Sequence, residues 1–195
     1  MYIRLLKVLR MDKWTHKRKI MQRYDITAEM YEMRYTEEQK AKYKAALDLL
    51  RINPDSKILD VGCGTGLFFQ HVATEAQAVV GADISIKLLR QAKKRTQEFC
   101  NVYLVQADAD HLPFINNQFN MIFSFTVLQN LPKPLETLSE IKRTAQQMAS
   151  IVVTGLKSVF SLDTFQGLLQ DAGLQVFSLK ADDNLKCYVV VTHKN

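Results

Sequence analysis

At 195 residues the chain has room for one domain of ordinary size, and an apolar share of 47% excludes wholesale disorder. The net charge of +6 is uneven: residues 1 to 23 hold eight Lys or Arg against Asp12 alone, leaving 18 basic and 19 acidic residues beyond. Three scattered cysteines exclude a disulfide framework, no C-x-x-C pair stands ready for zinc, and no run approaches the roughly 20 apolar residues of a membrane span. With no signal peptide visible, these totals predict a reduced, cytoplasmic protein without a metal.

The basic segment comes first. Ile3, Leu5, Leu6, Val8 and Leu9 alternate with Arg4, Lys7 and Arg10, which suits either an amphipathic helix able to touch nucleic acid or a solvated extension. Trp14 is a base-stacking platform or a packing anchor. Tyr24, Ala28, Tyr31 and Tyr35 then fall at helical spacings and give one aromatic face, either core or a lid over a ligand. Thr36, followed by Glu37 and Glu38, predicts the start of a further helix that Asn53-Pro54-Asp55 ends. The expected organisation is a basic extension over 1–23, a helical cap over 24–55 and a core over 56–195, with no second domain.

Residues 58 to 66, Ile-Leu-Asp-Val-Gly-Cys-Gly-Thr-Gly, organise the rest. An apolar strand ends at Asp60, glycines follow at 62, 64 and 66, and a helix is predicted over 66–75. Such a turn lets a ligand lie against bare backbone. The spacing is G-x-G-x-G rather than the G-x-G-x-x-G of dinucleotide folds. A pyrophosphate here would meet the Asp60 carboxylate, whereas a ligand bearing an ammonium and a sulfonium would meet a partner. The chemistry favours S-adenosylmethionine over NAD or FAD.

Beyond the turn the pattern alternates. Strands are expected at 78–82, 101–106, 121–125 and 150–154, with helices at 85–98 and 134–147 between them and a loop over 111–119. A helix capped by Ser161 and closed by Gly173 precedes two last strands, 174–179 and 187–192, read as an antiparallel hairpin across Asp182-Asp183-Asn184. Ligands of open α/β sheets lie at the carboxyl ends of the strands, and three acids fall there: Asp60, Asp83 and Asp108. Asp60 is expected to face the amino-acid end of the cofactor, Asp83 the ribose diol and Asp108 the adenine amine. Backbone at Gly62, Gly64, Ile84, Ala109 and Phe125 would complete the site, with Gly66 closing the turn.

The stretches Asp-Val-Gly-Cys-Gly-Thr-Gly, Gly-Ala-Asp-Ile-Ser, Gln-Ala-Asp-Ala-Asp-His-Leu-Pro-Phe and Phe-Thr-Val-Leu-Gln-Asn-Leu-Pro-Lys-Pro together resemble class I S-adenosylmethionine-dependent methyltransferases. The nearest pattern is the UbiE-like group of ubiquinone and menaquinone methyltransferases, which also includes several RNA methyltransferases. The resemblance covers about residues 24 to 195. It implies an α/β, Rossmann-like, seven-stranded sheet of order 3-2-1-4-5-7-6 with the last strand antiparallel and helices on both faces. It also implies that residues 24 to 35 cap the cofactor, which brings Tyr24 to the cofactor and Tyr31 and Tyr35 toward the acceptor. One departure is plain: the Lys-Pro-Gly-Gly turn usual before the fifth strand is replaced by Arg143-Thr-Ala-Gln-Gln-Met-Ala-Ser.

A sulfonium methyl is already activated, so the protein's work is positioning and desolvation, and no catalytic residue is assigned. Gln129 and Asn130 could hold the acceptor or merely cap a turn, and Tyr24 or His111 could accept a proton. The expected function is methyl transfer to a nucleophilic N, O or C of an acceptor. RNA is suggested by the basic segment, with a quinone-like small molecule as the alternative and a protein acceptor behind it. Deleting residues 1 to 20 would separate the first two. A small partner subunit completes the set of candidate partners.

Overall fold

Apolar runs that are continuous rather than alternating make strands buried on both faces. Ile58, Leu59 and Val61 are wholly buried, as are Ile122, Phe123 and the run from Ile151 to Val153. The computed structural model describes residues 2–194, with side chains described for residues 14–26 and 36–194. Seven strands, β1 (Lys57–Val61), β2 (Ala78–Asp83), β3 (Val102–Gln106), β4 (Phe119–Ser124), β5 (Ala145–Leu156), β6 (Leu174–Lys180) and β7 (Cys187–Lys194), form one sheet. Their order is β3-β2-β1-β4-β5-β7-β6, as the resemblance implies. The first five pair in parallel, and β7 runs antiparallel to both β5 and β6.

Alternate residues of each strand feed two cores. One holds Ile58, Phe68, Phe69, Val79 and Phe123 with Tyr43 and Ala46. The other holds Leu59, Val61, Ile122, Ile151, Leu138, Ile141, Phe165 and Leu169. Three helices begin as their sequences direct. Ser85 caps α2 (Ile86–Arg95) by accepting from the Leu88 amide, Pro134 sits in the first turn of α3 (Pro134–Thr144), and Ser161 caps α4 (Leu162–Asp171). Gly173, at φ 66°, carries the chain out of α4.

Three elements differ from expectation. Residues at the start form a single helix, α1 (Tyr2–Leu47), so Thr36 lies in a helix interior rather than capping a new one. Glu37 and Glu38, readable as first-turn acids, instead pair with Lys40 and Lys42 three and four positions on. After the glycine turn the chain makes only a short 3-10 segment, Leu67–His71. Asn101 then takes the carbonyls of Ala73 and Ala76 at 2.8 and 2.9 Å, using acceptors that a longer helix would have employed. Third, β5 begins directly at Ala145, where α3 ends. A register shift against β4 lies between the pairs Phe119–Ala145 and Met121–Ser150, and within it Met148 sits in left-handed backbone at φ 59°. A second irregularity falls on β6, between Val176 and Ser178, where Phe177 is left exposed with its ring 4.9 Å from that of His193.

Met148 is 73% exposed, so its side chain contributes little packing to offset its backbone. Left-handed backbone costs a residue with a Cβ about 1–2 kcal/mol, part of which glycine's larger unfolded-state freedom would cancel. Met148→Gly is therefore expected to stabilise the fold by about 1 kcal/mol, raising the midpoint of thermal unfolding by about 2–4 °C in calorimetry. An unchanged or lowered midpoint would mean that the Met148 side chain supports the register shift.

Candidate cofactor site

The site is built where four parallel strands end. Strand β1 leads through Asp60 into the glycine turn, where the amides of Gly62 and Cys63 both donate to the Ala82 carbonyl, at 2.7 and 3.1 Å, and fold the turn onto the end of β2. At Gly62, φ is 75° and a Cβ would strike Val127. At Gly64, φ is 56° and a Cβ would point into open space, so bare backbone faces a void. Asp83 ties the turn in place: its two carboxylate oxygens accept from the Gly64 and Ser85 amides at 2.9 and 2.8 Å.

A cavity of about 770 Å³, open mouth included, lies over these ends. Val61, Gly62 and Gly64 come from the first strand end, Ala82, Asp83 and Ile84 from the second, Ala107, Asp108 and Ala109 from the third, and Phe125, Thr126 and Asn130 from the fourth. A smaller compartment of about 330 Å³ shares Gly62, Gly64 and Phe125 and contains Asp60, Gln39 and Tyr43. Asp60 is 2% exposed. Burial, and then the neighbouring Asp83 charge, push its carboxyl up to about 8. Asp83 is likewise raised, first by burial and further by Asp25, against the pull of its amide partners.

The cavity's remaining wall is α1. Lys17, Ile20 and Tyr24, one face of the helix, line it. Lys17 donates to both oxygens of Asp108 at 2.7 Å and to Asp110 at 2.5 Å. His16 meets the Asn130 carbonyl at 3.2 Å, Asn130 donates to the Tyr24 hydroxyl at 3.1 Å, and Ser85 donates to Asp25. On the fourth strand end, Thr126 adopts left-handed backbone at φ 63° and its amide donates to the Thr154 hydroxyl. Its hydroxyl accepts from Lys42 at 3.0 Å, and its carbonyl accepts from Gln129 and Asn130.

The expected residues are thus divided by the structure. Gly62, Gly64, Asp83, Ile84, Asp108, Ala109, Phe125, Tyr24 and Asn130 line the large cavity, and Asp60 the small one. Gly66 lines neither; a Cβ there would press on Phe69 and Ala92, so its part is packing. Gln129 lines neither and is held by the Thr126 carbonyl at 2.5 Å. His111 is exposed and also lies outside the cavity, whereas Tyr24 lines it. The side chains of Tyr31 and Tyr35 lie outside the described residues. Sequence reasoning missed Lys17, Ile20 and Thr126. The spacing 17, 20, 24 is a helical face, but it was hidden inside a basic run that reads as solvated.

S-adenosylmethionine fits what is present. The deep compartment holds a carboxylate that burial has driven toward neutrality and that lacks a compensating cation among the described residues, a deficit that an ammonium or sulfonium would fill. Asp83 lines the cavity as a buried acid held in place by backbone amides, with acceptor capacity turned toward a ligand hydroxyl. The described residues contain no group of three or more metal-ligating acids, histidines or cysteines, and no helix among them is long and apolar enough to cross a membrane.

Comparison with known proteins agrees. A family model described as a methyltransferase domain matches residues 59–153. The demethylmenaquinone methyltransferase of Staphylococcus saprophyticus subsp. saprophyticus is 32% identical over 119 residues, covering 60% of this chain and 51% of that protein. The chain thus spans about half the length of the curated relatives it matches. A methyltransferase from Aquifex aeolicus shares the fold with a TM-score of 0.71 at 19% identity, over 82% of this chain and 98% of the other. So does a chain from the complex between the Haloferax volcanii Trm112 methyltransferase activator and a methyltransferase, with a TM-score of 0.77 at 15% identity, over 88% and 97%. A strand order of 3-2-1-4-5-7-6 with acidic strand ends at its rim goes with a methyltransferase-domain match over residues 59–153, and in both respects this chain resembles the class I S-adenosylmethionine-dependent methyltransferases.

Proposed function

We propose that the protein transfers a methyl group from S-adenosylmethionine to a small, largely apolar acceptor of the quinone-like kind. When bound, the cofactor supplies a methyl carbon on a positive sulfur, ready for in-line attack. Asp60 would hold its cationic amino-acid end, Asp83 its ribose hydroxyls and Asp108 its adenine amine, with Gly62, Gly64, Ile84, Ala109, Phe125 and Tyr24 closing around it. The chain's own part is to orient the reacting atoms and exclude water, which can supply several kcal/mol without a covalent step.

The observation that carries the acceptor class is the wall. Beyond the acidic strand ends the cavity is bounded by Ile20, Tyr24, Phe125, Val127 and Leu131, and α1 lies across it as a cover. Such a cavity desolvates a compact ring better than it admits a folded polynucleotide. Tyr24 and Asn130, hydrogen-bonded to each other, are the polar groups placed to orient an acceptor hydroxyl or carbonyl there. The identity to the staphylococcal demethylmenaquinone enzyme supports the same choice. RNA is the second reading, favoured by Trp14, 52% exposed, with exposed Arg18 and Lys19 on the same helix. Likeness of fold to the Haloferax chain supports a small partner subunit within the proposal, which co-purification would reveal.

Deleting residues 1 to 20 does not separate these readings, because it would remove Lys17 and Ile20 from the cavity wall as well. The separating experiment uses methyl-labelled cofactor with cell extract, followed by ribonuclease or protease. Label is expected in an organic-extractable product resistant to both, at the same rate when Trp14, Arg18 and Lys19 are replaced together by Ala. Label lost to ribonuclease would establish the RNA reading instead.

Asp60 yields a pH prediction. Its carboxyl is raised to about 8 in the empty protein, so near pH 7 it is mostly neutral, while a cationic ligand requires the carboxylate. Binding of S-adenosylhomocysteine should therefore release a proton, and affinity should rise with pH up to about 8 before levelling. Stability of the empty protein runs the other way. A raised acid binds more protons folded than unfolded, so stability is lost as pH rises from the usual carboxylate range toward 8. Asp60→Asn is expected to weaken binding about a hundredfold, abolish the proton release, and flatten the stability loss. Calorimetry in buffers of different ionisation enthalpy, with thermal unfolding across pH, reads all three.

A further inference from the structure

We propose that Lys17, 43 residues ahead of Asp60, is a positioning residue of the cofactor site that makes the third strand end selective for adenine. The inference rests on the reading of Asp108 as the acceptor of the adenine amine.

All three hydrogens of the Lys17 ammonium are used. Two go to the oxygens of Asp108 at 2.7 Å and one to Asp110 at 2.5 Å. The side chains of Lys17 and Asp110 are 7% and 2% exposed, and that of Asp108 is 17% exposed, so the trio sits in the wall and not on the surface. Asp110 is fixed from behind, where its other oxygen accepts from the Thr137 hydroxyl. Its amide donates to Asp108 Oδ1 at 3.1 Å. Asp108 Oδ1 therefore has both lone pairs engaged, by Lys17 and by this amide. Oδ2 has one engaged and one left, on a residue that lines the cavity.

What Lys17 leaves is a single, oriented acceptor with no hydrogen of its own. An exocyclic amine satisfies it. A carbonyl oxygen in the same place, as in the inosine counterpart, would meet a second acceptor and be repelled. Without Lys17, two carboxylates two positions apart would share a partly buried wall with no cation between them. The Asp108 carboxylate would also lose two of its three hydrogen bonds and be free to turn, so that no single lone pair is held toward the base. The lysine thus determines which base edge the pocket accepts, without itself touching the base.

The test is calorimetric binding of S-adenosylhomocysteine and S-inosylhomocysteine to the full chain. The unaltered protein is expected to prefer the adenosyl compound by about a hundredfold. Lys17→Met should weaken adenosyl binding about tenfold and bring the two affinities together. Lys17→Arg, which restores a cation with several donors, should recover most of the preference, and Lys19→Met on the exposed face should leave it unchanged. Thermal unfolding of each variant separates loss of fold from loss of selectivity; should Lys17→Met fail to fold, Lys17→Gln takes its place in the comparison. A folded Lys17→Met or Lys17→Gln variant that keeps the full preference overturns the inference. So does one that binds the adenosyl compound more tightly, for Lys17 would then be an obstruction. Unaltered protein that binds neither compound would instead overturn the cofactor reading, and this inference with it.

Discussion

An acid buried with no cation beside it among the described residues is a cost that folding alone does not recover, and Asp60 is placed at that cost in the middle of the sheet. Its strand is flanked on both sides by parallel neighbours, β2 and β4, and its carboxyl reaches only the small compartment over the strand end. Burial therefore holds it close to neutral near pH 7, and a cation brought beside it would draw the proton off. Asp83 lies beside it and raises it further, and the amides of Gly62, Cys63 and Gly64 are spent on the Ala82 carbonyl and on Asp83. Stability is given up for affinity toward something positive, which is the usual bargain at binding sites.

The third strand end resolves the same problem in the opposite way. There Lys17 is supplied by the protein, and Asp108 and Asp110 are paired before any ligand arrives. The two compartments over the strand ends therefore differ in electrostatic character, one holding a buried acid with no cation beside it among the described residues and the other two carboxylates that already share a lysine. A cofactor that is cationic at one end and a neutral base at the other suits that polarity, and a pyrophosphate between two nucleosides does not.

Much of this was legible because it is local. The strand, glycine turn and acid of residues 58 to 66 are consecutive, the acids at 83 and 108 each close an apolar run, and Ser85 and Ser161 cap helices where hydroxyl residues precede apolar periods. What could not be read depends on partners far along the chain. Thr36 carried a valid cap signal, but the helix runs through it, and on its next turn Glu38 meets Lys186 and Lys42 meets Thr126, 148 and 84 positions away. Lys17 lies in a run of basic residues, and nothing in the run distinguishes the lysine that meets Asp108, 91 positions away, from its solvated neighbours. The direct passage from α3 into β5 was foreshadowed by the absent glycine turn, but the left-handed Met148 that accommodates it follows from pairing with β4. The roles proposed for the cavity residues rest on chemistry, and the geometry supplies their company.

The irregularity in β6 has a meaning for the molecule among other molecules. As the last strand of the sheet, β6 offers one side of its backbone to anything that can hydrogen-bond to it, the ordinary route by which sheets of neighbouring copies fuse into aggregates. The slip between Val176 and Ser178 interrupts the regular succession of amides and carbonyls along that margin and turns Phe177 outward against His193. An incoming strand would find at most a few residues in step before the ladder failed, so on this side the sheet is closed by a fault in its own edge strand.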